Sequence, residues 1–256
     1  MPTSPRLHIE TPLSEGALLS LGEEASNYLV RVLRVSLGEQ IRLFNTGSGE
    51  WQGRIEAVGA RKTVVLLEKL LRKPPPPDPA ALWLLFAPVK RDNTDLIVEK
   101  ATELGASVVL PVLTERTQTR TVRIDRFRKI AIEAAEQTER LDVPEIADVR
   151  TLPHALDALP AGMVLIFCDE SGDDPAASWG GAAGRAPSAL TAFSALKGRP
   201  AAILVGPEGG FTPFERSALR ARSATYPVSL GPRILRAETA AVAAMALWQA
   251  ACGDWA

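Results

Sequence analysis

The chain has few of the residues that usually build metal centres or nucleophilic sites. Its only cysteines, Cys168 and Cys252, are far apart and stand among apolar residues, which favours two buried thiols over a metal or catalytic role. His8 and His154 have no second histidine or carboxylate in a ligand-like arrangement, so each is interpreted as an ordinary surface or capping histidine. We therefore predict no metal site.

An excess of one charge and a long apolar run are also missing. Lys and Arg number 29 against 30 Asp and Glu, for a net charge of −1. Binding to nucleic acid through overall charge is therefore disfavoured, and any RNA contact must come from local patches. There is no run of about 18 apolar residues and no basic, apolar leader, which predicts a soluble, cytoplasmic protein without membrane contact.

The segment 201–215 is typical of a strand, a glycine loop and a helix start. An apolar strand ends at Val205, and the loop Gly-Pro-Glu-Gly-Gly-Phe follows. Thr212 and Glu215 have the spacing of a capping box around Pro213. Such loops often bind polar ligands, because free backbone N–H groups lie at a helix N-terminus. The loop lacks the Gly-Lys-Ser/Thr of a phosphate loop and the dinucleotide fingerprint, and a simple turn is the alternative.

A second strand-ending turn, Leu230-Gly-Pro-Arg-Ile-Leu-Arg-Ala-Glu-Thr-Ala240, opens a long Ala-rich helix. The two segments together resemble the signature of the SPOUT methyltransferases, and more narrowly of the bacterial 16S ribosomal RNA (uridine-N3)-methyltransferase family. The segments Glu99–Gly105 and Ala131–Pro144 resemble further elements of that family. The resemblance is strongest over 201–215 and 230–241.

A proline-rich segment, 73–79, predicts a boundary between two domains. Four consecutive prolines exclude a helix or a central strand and favour an extended spacer. Residues 1–72 have the short strands and single helix of a small β-rich domain, and the resemblance implies a PUA-like β-barrel that binds RNA. Residues 80–256 alternate strands and helices, which predicts an α/β domain with a mostly parallel sheet flanked by helices. The resemblance adds a C-terminal trefoil knot and a homodimer.

S-adenosyl-L-methionine is the cofactor that the resemblance implies, held by the end of the strand 163–169 and by the two motif loops. Gly209 and Gly210 are expected to be required because a side chain there would fill the space of the cofactor. The implied cofactor-binding residues are Leu204, Gly206, Pro207, Glu208, Gly209, Gly210, Leu230, Gly231, Ile234, Leu235 and Thr239.

The implied reaction is methylation of N3 of a uridine in 16S ribosomal RNA, free or in the small-subunit particle. N3 must lose its proton before it attacks, and the resulting anion needs a stabilising charge. Arg236 is the expected charge-stabilising or RNA-positioning residue. Glu208 and Glu238 are the carboxylates within the motifs, and either can be the base or can simply hold the loops.

Local clusters of arginine are candidates for contact with RNA phosphates, and the segment 114–129 is the most basic. Solvated surface charge is the alternative for each residue. Gln137 and Arg140, three apart on a helix, can reach RNA or a second subunit. The predicted RNA-binding residues are Arg6, Arg31, Arg34, Arg116, Arg120, Arg123, Gln137 and Arg140. A ribosome assembly factor that binds RNA without catalysis is the alternative function, and the intact cofactor-loop glycines and Arg236 argue against it.

Overall fold

The computed structural model describes residues 4–76, 81–119, 121–169 and 186–255. The chain forms two compact units. The first contains Met1–Pro77 together with Ala135–Val143, and the second contains Asp78–Ala134 together with Pro144–Ala256. The segment 135–143 joins the first unit although it is distant in sequence, which the sequence did not predict. The proposed domain limits at 72 and 80 stay a prediction, because part of the linker 73–79 lies outside the described residues.

The first unit is built on a five-stranded sheet in the order β1-β3-β4-β5-β2. β1 pairs parallel to β3, and the other neighbours are antiparallel. Leu29, Ile41 and Ile55 are fully buried in its core. The elements are β1 (Arg6–His8), β2 (Leu18–Ser20), α1 (Glu23–Asn27), a π-helix (Tyr28–Val32), β3 (Gln40–Asn45), β4 (Gly49–Ala57) and β5 (Val64–Arg72).

A buried arginine on β1 fastens the segment 135–143 within this unit. The Arg6 Nε donates to Glu50 Oε1 at 2.9 Å, and Arg6 Nη1 donates to the carbonyl oxygen of Ala135 at 2.7 Å. The Nη2 atom donates to the carbonyl oxygen of Arg140 at 2.5 Å, and the guanidinium carbon lies 3.6 Å from the centre of the Phe44 ring. Because Arg6 is only 7% exposed, the prediction that it contacts RNA is wrong. Its charge is used inside the protein.

The second unit is an α/β fold with a parallel sheet, which confirms the predicted fold class for this part of the chain. The sheet order is β12-β10-β11-β6-β7-β8, and β9 also pairs with β7. Every pairing in this sheet is parallel. The strands are β6 (Leu82–Phe86), β7 (Val108–Leu113), β8 (Glu145–Ile146), β9 (Arg150–Thr151), β10 (Val164–Cys168), β11 (Ala201–Val205) and β12 (Thr225–Val228).

Helices connect these strands as expected for a parallel sheet. The helices are α2 (Arg91–Glu103), α3 (Ile124–Gln137), α4 (Leu152–Asp157), α5 (Ala189–Phe193), α6 (Pro213–Ala221) and α7 (Ala237–Ala251). The C-terminal α7 packs against α2, α5 and β11. None of the helices in the described part of the chain is long and apolar enough to cross a membrane. The trefoil knot stays a prediction.

The capping box predicted at the start of α6 is confirmed. The Thr212 hydroxyl accepts from the Glu215 backbone N–H at 3.2 Å, and Glu215 Oε2 accepts from the Thr212 backbone N–H at 2.9 Å. Two backbone donors that the helix leaves unpaired are satisfied in this way.

We expect Thr212→Ala to lower the free energy of unfolding of the second unit by about 1 kcal/mol, the usual cost of losing such a cap. Urea unfolding is the measurement. Ser223→Ala, which removes an exposed hydroxyl at the other end of the same connection, is the control and should stay within about 0.5 kcal/mol of the parent. Equal stability of the two variants would contradict a stabilising role for the cap.

Candidate active site

Three neighbouring strands of the second unit end at one place. β12, β10 and β11 lie side by side and run parallel, so their carboxyl ends meet at the same edge of the sheet. Asp169 follows β10, Gly206 follows β11 and Ser229 follows β12. Ligands of open parallel sheets bind at this edge, in the crevice beyond the strand ends.

A cleft of about 560 Å³, counting the part that opens to solvent, lies beyond these strand ends. Both motif segments contribute to its walls, as the sequence predicted that they would come together. The cleft is lined by Cys168, Asp169, Val205, Gly206, Pro207, Glu208, Val228, Ser229, Leu230, Gly231, Arg233, Ile234, Leu235, Ala237 and Ala240.

Four of the predicted cofactor-binding residues do not line this cleft. Leu204 is fully buried in the core of the sheet, and Thr239 is exposed on the first turn of α7. Gly209 and Gly210 lie further along the loop, where a Cβ added to Gly209 would be 3.5 Å from the Cβ of Arg116. The expectation that a side chain at position 209 fills the cofactor space stays a prediction, and in this structure the space beside Gly209 is next to Arg116.

Gly206 and Gly231 have clearer structural reasons to be glycine. A Cβ on Gly206 would come within 2.6 Å of the Phe211 ring, and that ring packs edge-to-face on Phe167 with centroids 5.1 Å apart. Gly231 has a φ of +119°, a backbone conformation that other residues rarely adopt. The glycines thus set the course of the chain along the two walls of the cleft.

Asp169 lines the cleft and is not among the predicted site residues. Its carboxylate is buried and accepts from two arginines of α6: Arg216 Nη2 bonds to Oδ1, and Arg220 donates to Oδ2 from Nε at 2.9 Å and from Nη2 at 2.7 Å. We call these three residues the Asp169 cluster. A carboxylate directly after a buried strand, with two arginines four apart on a nearby helix, was the available signal in the sequence.

Two hydrogen bonds join the loop after β7 to the first motif segment. Glu215 Oε1 accepts from the backbone N–H of Glu115 at 2.8 Å, and Arg116 Nη1 donates to the carbonyl oxygen of Gly209 at 2.9 Å. Because Glu215 is also part of the capping box, one carboxylate holds the helix start and the neighbouring loop together. Arg116 is exposed and makes this structural contact, while its contact with RNA stays a prediction.

The three candidate catalytic residues lie on both walls of the cleft or at its rim. Glu208 is exposed and lines the cleft. Arg236 is exposed at the N-cap of α7, and Glu238 is half-buried in the first turn of that helix. Neither Arg236 nor Glu238 is among the described residues that line the cleft. Location therefore favours Glu208 over Glu238 for contact with a bound substrate.

The remaining predicted RNA-binding residues fall on different parts of the two units. Arg31 lies in the π-helix and Arg34 follows it, and both are exposed. Gln137 is exposed at the end of α3, while Arg140 is half-buried and pairs with Asp142. Arg123 is exposed in the second unit, and Arg120 lies outside the described residues.

Both cysteines are buried, as predicted. Burial raises the pKa of the Cys252 thiol, which favours its neutral form. The ring of His8 packs edge-to-face on Phe44, and burial lowers the pKa of His8. His8 is half-buried, and His154 is exposed on α4, as expected for an ordinary surface histidine. Among the described residues, no group of three or more His, Cys, Asp or Glu could hold a metal ion.

Two family models match the chain. Residues 76–249 match an RNA methyltransferase domain, and residues 21–68 match an RNA methyltransferase PUA domain. Two curated relatives are named ribosomal RNA small subunit methyltransferase E. That of Rickettsia conorii is 34% identical over 94% of this chain and 93% of the relative. That of Bacillus subtilis is 28% identical over 91% of this chain and 90% of the relative.

Solved structures resemble the whole chain. A putative methyltransferase from Legionella pneumophila, in complex with bound S-adenosylmethionine, matches with a TM-score of 0.83 and 28% identity over 98% of both chains. A ribosomal RNA small subunit methyltransferase E from Neisseria gonorrhoeae, bound to S-adenosyl methionine, matches with a TM-score of 0.78 and 27% identity. That match covers 99% of this chain and 100% of the other.

Proposed function

The chain belongs to the RNA methyltransferase family whose domain spans residues 76–249, and from that premise we propose that it methylates small-subunit ribosomal RNA with S-adenosyl-L-methionine as methyl donor. The observation that carries the proposal is the convergence of three parallel strand ends on one cleft walled by both motif segments. The full-length relatives named for this activity support the substrate class.

The residues of the cleft fit the proposed cofactor. Leu230, Ile234 and Leu235 offer apolar surface, and the loop 206–208 offers backbone groups beside it, a combination that suits an adenosine and its polar edges. The open space beside Gly231 leaves room along the second wall. When bound, S-adenosyl-L-methionine supplies an electrophilic methyl group on a positively charged sulfur.

The chain must prepare the acceptor atom of the RNA. We propose N3 of a uridine as that atom, from the resemblance to the uridine-N3 enzymes. Glu208 accepts the N3 proton in this mechanism, because it is the candidate carboxylate that lines the cleft. Arg236, exposed at the start of α7, stabilises the negative charge that appears on the base.

The homodimer also stays a proposal, and size-exclusion chromatography with light scattering would test it.

Arg236→Ala should lower kcat/KM for RNA methylation by about 10- to 100-fold. A hydrogen bond to a charged group contributes about 1.5–3 kcal/mol, and this variant loses one. Affinity for S-adenosylmethionine, measured by calorimetry, should persist, because Arg236 does not line the cleft. Arg233→Ala is the comparison variant: that arginine stands three positions earlier and does line the cleft, so its loss should lower affinity for S-adenosylmethionine instead. Full activity of Arg236→Ala would exclude the proposed role.

The direct test is transfer of tritium from labelled S-adenosylmethionine to ribosomal RNA, followed by mapping of the methylated position. Small-subunit particles from cells that lack the protein are the substrate, offered both intact and as free RNA. Label in a single uridine at N3 is the expected result. Binding of the particle without transfer would instead favour the RNA-binding assembly factor.

A further inference from the structure

A second cavity lies at the same edge of the parallel sheet, beyond the ends of β6 and β7. It contains about 600 Å³ of space, counting the part open to solvent. Pro88, Val89, Val122 and Phe127 form apolar walls. It shares no lining residue with the cofactor cleft, so it is a separate feature of the second unit.

The inner wall of this cavity is fixed by its own contacts. The Thr94 hydroxyl donates to the carbonyl oxygen of Val89 at 3.1 Å and is 3.0 Å from the Val89 backbone N–H, from which it accepts. Phe127 is buried and packs against Phe86, with ring centroids 6.4 Å apart. The cavity is therefore formed before any ligand arrives.

The charges around the cavity favour an anion at its rim. Asp95 is engaged by Arg126, whose Nε donates to both carboxylate oxygens at 3.0 and 2.9 Å, so the one acidic lining residue is neutralised. Arg91 and Arg123 are exposed at the cavity and form no ion pair with any described residue. Two unpaired guanidinium groups beside apolar walls suit a ligand that has both a phosphate and a flat apolar body.

We propose that this cavity binds a nucleotide of the RNA substrate that neighbours the methylated one. Its unstacked base lies against Val89, Val122 and Phe127, and its phosphate is bound by Arg91 and Arg123. Proteins that read unpaired RNA hold splayed bases on apolar and aromatic side chains in this way, and the phosphate contacts fix the register of the strand. This assignment rests on the proposed function.

The position of the cavity favours a neighbouring nucleotide over the target itself. The cofactor cleft lies beyond β10 and its two neighbours, while the cavity lies beyond β6 and β7. Adjacent strands are about 4.8 Å apart, so the two sites are separated by roughly 10 Å along the sheet edge. The reacting base must be at the cofactor cleft, which leaves the cavity for another base of the same strand.

Two variants separate the base from the phosphate. Thr121→Trp places a large ring in the cavity from an exposed loop position, and the double variant Arg91→Ala with Arg123→Ala removes the rim charges. Arg199→Ala is the matched control. It is an exposed arginine of the same unit, two residues before β11 and at the opposite edge of the sheet.

The measurement is methylation of small-subunit particles at several salt concentrations, with affinity for S-adenosylmethionine followed by calorimetry. We expect both cavity variants to raise KM for the particle, by about 5- to 150-fold where a stacked base is lost. Both should keep kcat and cofactor affinity within about twofold. The double variant should also reduce the salt dependence, by about 0.7 in the slope of log affinity against log salt for one phosphate, and Thr121→Trp should leave that slope unchanged.

Failure of this inference can be told apart from failure of the proposed function. If the proposed function is wrong, the parent protein itself does not methylate the particle. If the parent methylates and both cavity variants match Arg199→Ala in KM, the cavity has no role in RNA binding and the inference is wrong. A fall in kcat at unchanged KM would place the reacting base itself in the cavity, which equally overturns the assignment to a neighbouring nucleotide.

Discussion

Glu208→Gln is expected to lower kcat for RNA methylation by about 10²- to 10⁴-fold, the usual contribution of a positioned general base. The substitution keeps the shape of the side chain and removes its ability to accept the N3 proton. Glu208 is exposed on the cleft wall, so folding should not change. Steady-state kinetics and calorimetric affinity for S-adenosylmethionine together make the measurement.

Glu238→Gln is the matched comparison, because Glu238 is the other motif carboxylate and is half-buried outside the cleft lining. We expect a small effect there. The loss of kcat in Glu208→Gln should also become smaller as the pH rises towards the range where uracil N3–H ionises in water, since the substrate then needs no base. A pH-independent deficit would mean that Glu208 only shapes the loop, and a large loss at Glu238 alone would transfer the role to that residue.

The second large effect concerns stability. Arg6→Ala should lower the free energy of unfolding of the first unit by about 3–5 kcal/mol, because it leaves a buried partner charge without its main ion pair. The Glu50 side chain is 1% exposed. Arg42 and Arg72 each approach it only to 3.3 Å, so they compensate in part. The carbonyl oxygens of Ala135 and Arg140 would lose a donor as well.

Hydrogen exchange of the β3 and β4 amides reports on this unit alone and avoids the assumption that both units unfold together. Arg31→Ala is the control, because that arginine is exposed and its loss should change stability by no more than about 0.5 kcal/mol. Equal protection in the two variants would show that the buried pair contributes nothing to the fold.

Local signals explain how much of the fold was predictable. The apolar run that ends at Val205, the glycine loop and the cap at Thr212 each act over a few residues, and the structure has a strand, a turn and a helix in those places. The same holds for the strand, helix and strand over 82–113. Because parallel strands bring their carboxyl ends to one edge, the meeting of the two motif segments could also be predicted.

Long-range pairing explains what was missed. Arg6 looked like a surface charge because its acceptors at 135 and 140 are about 130 residues away in sequence. The role of Asp169 depends on arginines about 50 residues later. Whether a given motif residue lines the cleft depends on its orientation. Leu204 lies in the core of the sheet, while Gly206 lines the cleft. No local pattern contains that information.

The Asp169 cluster makes the two walls of the cofactor cleft unequal. The helix that follows the first motif segment is attached to the end of β10 by two guanidinium groups, and its start is attached to the loop after β7 through Glu215. The opposite wall differs. Within the described residues, positions 232–235 make no hydrogen bond, and Ile234 is 81% exposed. We therefore expect the spent cofactor to leave when this second wall moves away, while the first wall stays in place. The residence time of the spent cofactor should then depend on how readily the second wall is displaced.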